Sequence, residues 1–241
     1  MTSQRVRPLI PSVQTPMAAS DHNPGMVRRT VEVAIRRGMT RAFKTIAVNP
    51  QEYLFQLRAA HDLPIQSYQG MFTLPIDVLD DIAQQTIQAG MKLAAAEGAG
   101  FGLGGIFTLI PDFSILSAIT MRTIQKLSLI YGFEFNTDDE QAELWVAAAT
   151  AAGVDISREL LEKQVIKNFA PKVIQRIAAK ASAEVAEKWI GRLVPLASSA
   201  VGAALNYYFV RGWGRRAMAH FRQRHLEARA KLALSEHVAK R

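Results

Sequence analysis

The stretch EGAGFGLGGIFTLIPDFSILSAIT, residues 97–120, combines closely spaced glycines, a long apolar run and a Pro-Asp pair. Three structures are compatible with these features. They are a glycine loop that binds a nucleotide, a segment that spans a membrane, and a close-packed helical hairpin inside a folded domain. The sequence around the glycines favours the hairpin.

The glycines do not fit a nucleotide-binding loop. Gly100, Gly102 and Gly105 satisfy the spacing GxGxxG, but a dinucleotide fold also requires a preceding strand, a helix that opens at the glycines and an acid about twenty residues later. The preceding AGMKLAAAE is helix-forming sequence, and the following IFTLIP soon reaches a proline. Ile106 stands where a phosphate-binding loop requires lysine. We therefore expect no cofactor.

A single membrane span is also disfavoured. From residue 98 to residue 121 only Asp112 is charged, and the length would cross a hydrocarbon core. However, Pro111 and Asp112 lie in the middle of that window, where a carboxylate is costly and the helix would break. We expect two hairpins packed on each other in a core, with a re-entrant pair in a bilayer as the alternative. Small residues four apart allow such packing, and the candidates are Gly98, Gly100, Gly102, Gly104 and Gly202.

The remaining sequence predicts helices and no convincing strand. Asn49 before Pro50 marks a helix start, Thr137 and Glu140 have capping-box spacing, and Gly132 follows the end of an apolar helix. The predicted fold is all-α, a compact multi-helix domain with two Pro-led, Gly/Ala/Ser-rich apolar helical hairpins. The expected organisation is a disordered leader (1–25), a basic amphipathic helix (26–48), a helical domain (49–226) and a basic C-terminal tail (227–241).

Charge is distributed unevenly along the 241 residues. Residues 1–48 carry a net charge of +6, residues 49–210 one of −5 and residues 211–241 one of +7, for a total of +8. Basic ends of this kind usually bind phosphate, either of anionic lipid or of nucleic acid, although they can also be plain solvated tails. The chain has no cysteine, which fits a reducing compartment, and its first residues lack a secretory signal. We expect a cytoplasmic protein.

Few residues suggest chemistry. Asp77, Asp80 and Asp81 could bind Mg²⁺, but carboxylates in a first helical turn more often compensate the helix dipole. His220 and His225 are five residues apart, so they lie on different helical faces and are expected to add pH-sensitive charge to a basic helix. No catalytic or metal site is predicted. The polar residues that interrupt corresponding apolar runs are Asp112 and Asn206, and an inter-helix hydrogen bond or a ligand site would explain them.

Five blocks of the sequence resemble the EcsC protein family over roughly residues 50–226. The blocks are EGAGFGLGG, PDFSIL, MRTIQKLSLIYGF, EKWIGRLVPLASSAVGAALNYYFVRGWG and AHFRQRH. The resemblance implies a helical fold, membrane association and a link to an ABC transporter, but no reaction. The family-like positions are Gly104, Pro111, Asp112, Arg122, Tyr131, Gly132, Pro195, Gly202 and Asn206.

Two classes of function follow from these observations. The first is a non-enzymatic protein at the inner face of the membrane, which binds anionic lipid and assists or scaffolds an ABC transporter or another membrane complex. The second is a nucleic-acid-binding helical protein, and a hydrolase with an unrecognised site is a further alternative. Aromatic residues beside the basic helices favour lipid. The candidate contacts are Arg28, Arg29, Arg36, Arg37, Tyr207, Tyr208, Trp213, Arg215, Arg216, Arg222 and Arg224.

Overall fold

A computed structural model describes residues 24–45, 48–101, 109–156, 166–193 and 199–239. Over these residues the protein is all-helical, as predicted, and contains no strand. A short 3-10 helix, Tyr68–Thr73, precedes α3. The α-helices are α1 (Pro24–Thr45), α2 (Pro50–His61), α3 (Ile76–Phe101), α4 (Leu109–Ile130), α5 (Asp138–Ala151), α6 (Ile166–Leu193) and α7 (Ser199–Ala239).

Local capping signals in the sequence set two helix starts. The Asn49 side chain accepts hydrogen bonds from the backbone N–H groups of Gln51 and Glu52, at 3.0 and 3.3 Å. Thr137 and Glu140 form a complete capping box, in which each side chain accepts from the other residue's backbone N–H. These contacts satisfy donors that have no partner inside the helix. Both predicted caps are confirmed.

Gly132 ends α4 by adopting a conformation that side chains disfavour. Its φ is +87°, and the backbone N–H groups of Gly132 and Phe133 donate back to the carbonyls of Leu129 and Ser128. This hydrogen-bond pattern satisfies the last carbonyls of the helix and favours glycine at the left-handed position. The predicted stop at Gly132 is therefore confirmed.

Three residues that often interrupt helices do not do so here. α6 continues through Pro171, and α7 continues through Gly212 and Gly214. Phe169 and Val173, on either side of the proline, are buried in the core. Tertiary packing of such neighbours outweighs the local cost of these residues in a helix. Relative to alanine, that cost is about 3 kcal/mol for proline and about 1 kcal/mol for glycine.

The helices form three layers. α4 and α5 lie in the middle and contribute many fully buried residues, including Leu127 and Trp145. On one side α1 packs on α4, α6 packs on α5, and α1 and α6 pack on each other. On the other side α3 and α7 form the most extensive helix pair, and both contact α4.

Paired contacts fix the direction of these helices. Asp80 at the start of α3 contacts Tyr131 beyond the end of α4, and Gly90 farther along α3 lies against Thr123. α3 is therefore antiparallel to α4. The same residues, Asp80 and Gly90, lie against Arg222 and Val210 of α7, so α3 is antiparallel to α7 as well. Consequently α4 and α7 run parallel on the same side of α3.

Close helix approach occurs at glycines that sequence analysis did not select. A Cβ atom at Gly38 of α1 would overlap the backbone of Ser114 in α4. The hydroxyl of Ser114 donates to the Ala34 carbonyl at 3.1 Å, so these two helices meet backbone to backbone. A Cβ at Gly90 would lie 2.7 Å from Thr123 Oγ1. α1 is thus an integral part of the domain.

Among the helices over the described residues, none has both the length and the apolar character that crossing a bilayer requires.

Candidate anionic-surface contact site

The arginines of α1 lie on the outer surface of the domain. Apolar and cationic residues alternate along this helix with a period close to 3.6, so that one side faces the core. The side chains on the core side are Val31, Ala34, Ile35, Met39 and Ala42, and each is at most 4% exposed. The exposed side carries Arg28, Arg29, Arg36, Arg37 and Arg41.

These five guanidinium groups form no ion pair within the part of the chain that the structure describes. The ion pairs found there join Lys180 to Glu184, Arg222 to Asp80, and Arg224 to Glu143. The acid on α1 itself is Glu32, which is partly exposed. A surface with this excess of cations attracts phosphate groups.

The cations of α7 are used differently, because several of them bind the domain itself. Arg222 Nε lies 2.8 Å from an oxygen of Asp80 in α3. Arg224 contacts Glu143 of α5 at 3.1 Å and covers the Phe133 ring, and Arg216 donates to the Ala151 carbonyl. These three arginines were predicted as surface contacts, but each joins α7 to a neighbouring segment. Arg215 is exposed.

A polar cluster joins α3, α4 and α7 around Asp80. The Tyr131 hydroxyl donates to one carboxylate oxygen of Asp80 at 2.6 Å, and Arg222 donates to the other. Burial and the adjacent carboxylate raise the pKa of the Tyr131 hydroxyl, which therefore stays protonated and remains a donor. Asp80 thus links two helices rather than compensating the dipole of its own helix alone.

His225 completes this cluster. Its side chain is fully buried and stacks on Phe72 with a ring-centroid distance of 4.8 Å. Nδ1 lies 2.9 Å from the Tyr131 carbonyl, which can only accept, so Nδ1 carries the proton. Nε2 has no hydrogen-bond partner among the residues that the structure describes.

The two histidines of α7 do not add exposed charge to the basic helix, contrary to our expectation. Burial lowers the pKa values of both His220 and His225 below the usual value of 6.5. Both are therefore neutral at neutral pH. An exposed histidine would titrate in water, whereas these two would be charged only at the cost of desolvation.

The three predicted aromatic contacts lie in different surroundings. Tyr207 is 42% exposed, and the Arg211 guanidinium lies 5.7 Å from its ring centroid. Trp213 is only 6% exposed and packs beside Phe209, so it is a core residue and not a surface contact. Tyr208 belongs to α7, but the surroundings of its side chain lie outside the described part.

The candidate hairpin residues fall mostly outside the described part. Gly102 and Gly104 lie between α3 and α4, where the structure gives no description. Gly98 and Gly100 belong to α3 and Gly202 to α7, with undescribed packing. Asp112 of α4 and Asn206 of α7 likewise have undescribed side-chain surroundings. The proposed contact between these two polar residues remains a prediction.

A shallow acidic cavity of about 320 Å³ lies between α5 and α7. Arg224 is a cation in its lining, and it also pairs with Glu143. Over the described residues, no group of three or more His, Asp or Glu side chains is arranged to hold a metal ion. The acids that line the cavity are Glu134, Asp139, Glu140 and Glu143.

A model of the EcsC protein family matches residues 18–226. The chain belongs to the EcsC protein family. The matched region starts before α1 and contains this helix completely. The sequence blocks that resemble the family, by contrast, begin only near residue 50.

Two proteins of Bacillus subtilis (strain 168) are similar to this chain. Protein EcsC is 29% identical over 141 residues, which make up 58% of this chain and 59% of that protein. Uncharacterized protein YdbA is 24% identical over 163 residues, 64% of this chain and 60% of that protein. The chain therefore aligns with less than two thirds of the length of either relative. No solved structure matches it.

Sequence analysis missed a second group of exposed cations. Lys172, Arg176 and Lys180 of α6 are exposed and spaced by four residues. That spacing places them on one side of the helix. The signal was present in the sequence, but these cations lie within residues 49–210, whose net charge of −5 concealed it.

Proposed function

We propose that this protein acts at the inner face of a membrane, where α1 binds anionic lipid headgroups, and that it has no catalytic activity of its own. The observation that supports this most strongly is the row of α1 arginines, which are exposed and unpaired within the described residues while the opposite side of the helix is buried. Without a bound anion, these neighbouring guanidinium groups would repel one another, and no acid of the described residues pairs with them to neutralise their charge. Headgroup phosphates would supply the missing charge.

The burial of the apolar side of α1 determines how the protein would bind. An isolated amphipathic helix inserts its apolar side between lipids. Here that side packs on α4 and α6, and the Gly38–Ser114 contact holds α1 against α4. Binding would therefore be electrostatic, would require anionic lipid and would weaken with salt. It would bring the protein next to membrane complexes such as an ABC transporter, which it would assist or scaffold.

Vesicle co-sedimentation tests this proposal. The variant replaces Arg28, Arg29, Arg36 and Arg37 with Gln. Each basic residue near an anionic surface contributes about 1 kcal/mol, so we expect the affinity for phosphatidylcholine vesicles with about one third phosphatidylglycerol to fall by about two to three orders of magnitude. The melting temperature should not change, because these side chains make no described contact with the core.

The matched control removes the same number of charges from α3, α4 and α7. It replaces Lys92, Arg122, Arg211 and Lys231 with Gln, all of which are exposed. We expect it to retain most of the affinity. Equal losses in both variants would show that only net charge matters and would contradict a specific role for α1. Equal binding to neutral and anionic vesicles, or tight binding to a DNA duplex with none to lipid, would overturn the proposal.

A further inference from the structure

We infer that α6 supplies the second half of one headgroup-binding face, through Lys172, Arg176 and Lys180. This inference rests on the proposed function and extends it from one helix to a two-helix surface. Its occupant is the plane of an anionic bilayer.

The placement of α1 and α6 makes their outer sides continuous. The two helices pack on each other, and together they cover the middle layer, α1 over α4 and α6 over α5. The sides of α1 and α6 that face away from α4 and α5 therefore point in the same direction. α3 and α7 lie on the far side of the middle layer, so their cations point elsewhere.

The cations of α6 lie on its outer side. Val173, Ile177 and Ala181 are each at most 2% exposed and face the core. Each of them directly follows one of the three cations, and about 100° of helical rotation per residue directs the cations away from them. Lys172, Arg176 and Lys180 are all exposed.

Few acids oppose these cations. Residues 166–183 contain no Asp or Glu. Glu184 contacts Lys180 at 3.8 Å, but half of the Lys180 side chain is exposed, and such pairs contribute little to stability. Glu32 on α1 and Glu187 on α6 are the other acids with described exposure on the two helices. Among the side chains of α1 and α6 whose exposure is described, eight exposed cations therefore accompany three acids.

The shape of this cationic face fits a membrane better than a small anion. Arg29 and Arg41 are separated by about 18 Å along α1, and Lys172 and Lys180 by about 12 Å along α6. A site for one phosphate requires several donors that converge on a point. Cations spread along two adjacent helices instead match the repeated charges of a lipid surface.

The test compares three variants in co-sedimentation with the same phosphatidylglycerol-containing vesicles. The first replaces Lys172, Arg176 and Lys180 with Gln, the second is the fourfold α1 variant, and the third is a matched control in which Lys92, Arg211 and Lys231 become Gln. We expect the vesicle affinity of the α6 variant to be lower than that of the native chain by about tenfold or more. The control should keep nearly the native affinity. All three should keep the native melting temperature.

Two further variants distinguish a loss of charge from a loss of packing or folding. Lys172→Arg with Lys180→Arg retains the charge and should restore full binding, which a role of these lysines in packing would not predict. If the triple variant fails to fold, Arg176→Glu alone should still lower vesicle affinity at an unchanged melting temperature. Loss of affinity in the α6 variants and not in the control supports a two-helix face.

The outcomes distinguish this inference from the proposed function. Full binding by the α6 variant together with weak binding by the α1 variant would overturn the two-helix face and leave the role of α1 intact. No vesicle binding by the native chain would overturn both. Release from vesicles by inorganic phosphate, at an ionic strength where chloride has no such effect, would identify a small-anion site and also overturn the two-helix face.

Discussion

The two basic segments of the chain, α1 and the second half of α7, have similar compositions but opposite roles in the structure. In α1 the arginines point outward and make no ion pair within the described residues. In α7, Arg216, Arg222 and Arg224 bind a carbonyl or a carboxylate of another segment. Charge along the sequence therefore does not show which cations are available to a ligand. Availability depends on whether an acceptor from another helix lies within reach.

The aromatic residues of α7 give the largest expected contrast between inward and outward side chains. Trp213→Ala should lower the free energy of unfolding by about 3–5 kcal/mol, because the substitution leaves a cavity beside Phe209 in the core. Tyr207→Ala, at an exposed position six residues earlier, should cost well under about 1 kcal/mol. Chemical denaturation measures both values. Similar losses of unfolding free energy in the two variants would mean that Trp213 is not packed in the core while Tyr207 faces outward.

The histidines of α7 provide a smaller, pH-dependent test of its inward role. Burial lowers the pKa values of His220 and His225 in the folded protein, whereas the unfolded chain titrates near the usual value of about 6.5. Below that pH the unfolded chain takes up protons that the folded protein does not, so stability is lost as the pH falls. Each histidine contributes at most about 1.4 kcal/mol per pH unit.

Thermal melts from about pH 8 to about pH 5 measure this effect. The groups around His225 are Asp80 of α3, which favours protonation, and Arg229 of α7, which opposes it. His225→Gln should flatten the decline of stability below about pH 6.5, relative to its own stability at neutral pH. A native chain whose stability does not depend on pH in this range would contradict neutral, buried histidines.

Two glycines of α7 test its packing on α3 with the smallest expected effect. A Cβ at Gly212 would meet only a side-chain nitrogen of Arg216 at 3.8 Å, whereas a Cβ at Gly214 would lie 3.0 Å from Ile87 of α3. Gly212→Ala should therefore stabilise the helix by up to about 1 kcal/mol. Gly214→Ala should gain less or lose stability, because Ile87 must move. Equal gains in calorimetry would show that α7 is not closely packed at Gly214.

The sequence predicted most accurately the features that depend on neighbouring residues. The caps at Asn49 and Thr137 and the stop at Gly132 each need only a side chain or a glycine within a few positions, and all three are confirmed. Pro171, Gly212 and Gly214 resemble helix breaks locally, but helices continue through them. Packing along the whole helix outweighs the local preference at these positions.

The candidate surface residues show where prediction from sequence ended. The outward row of α1 follows from helical periodicity, since buried and exposed residues repeat along a single helix. The burial of Trp213 does not, because small residues and charges surround it in the sequence and only the packing of α7 against the rest of the domain covers its ring. The close approaches at Gly38 and Gly90 depend in the same way on contacts with α4.

By itself the sequence determined an all-helical chain, the positions of its caps and stops, and its division into basic ends and an acidic middle. These properties arise from backbone hydrogen bonding, side-chain volume and charge over a few consecutive residues. Only the tertiary structure decided which cations of the described residues remain without an ion pair, because Asp80 and Glu143 lie far in sequence from the arginines that they bind. It also placed α1 and α6 side by side, since residues more than a hundred positions apart become neighbours only when the helices pack.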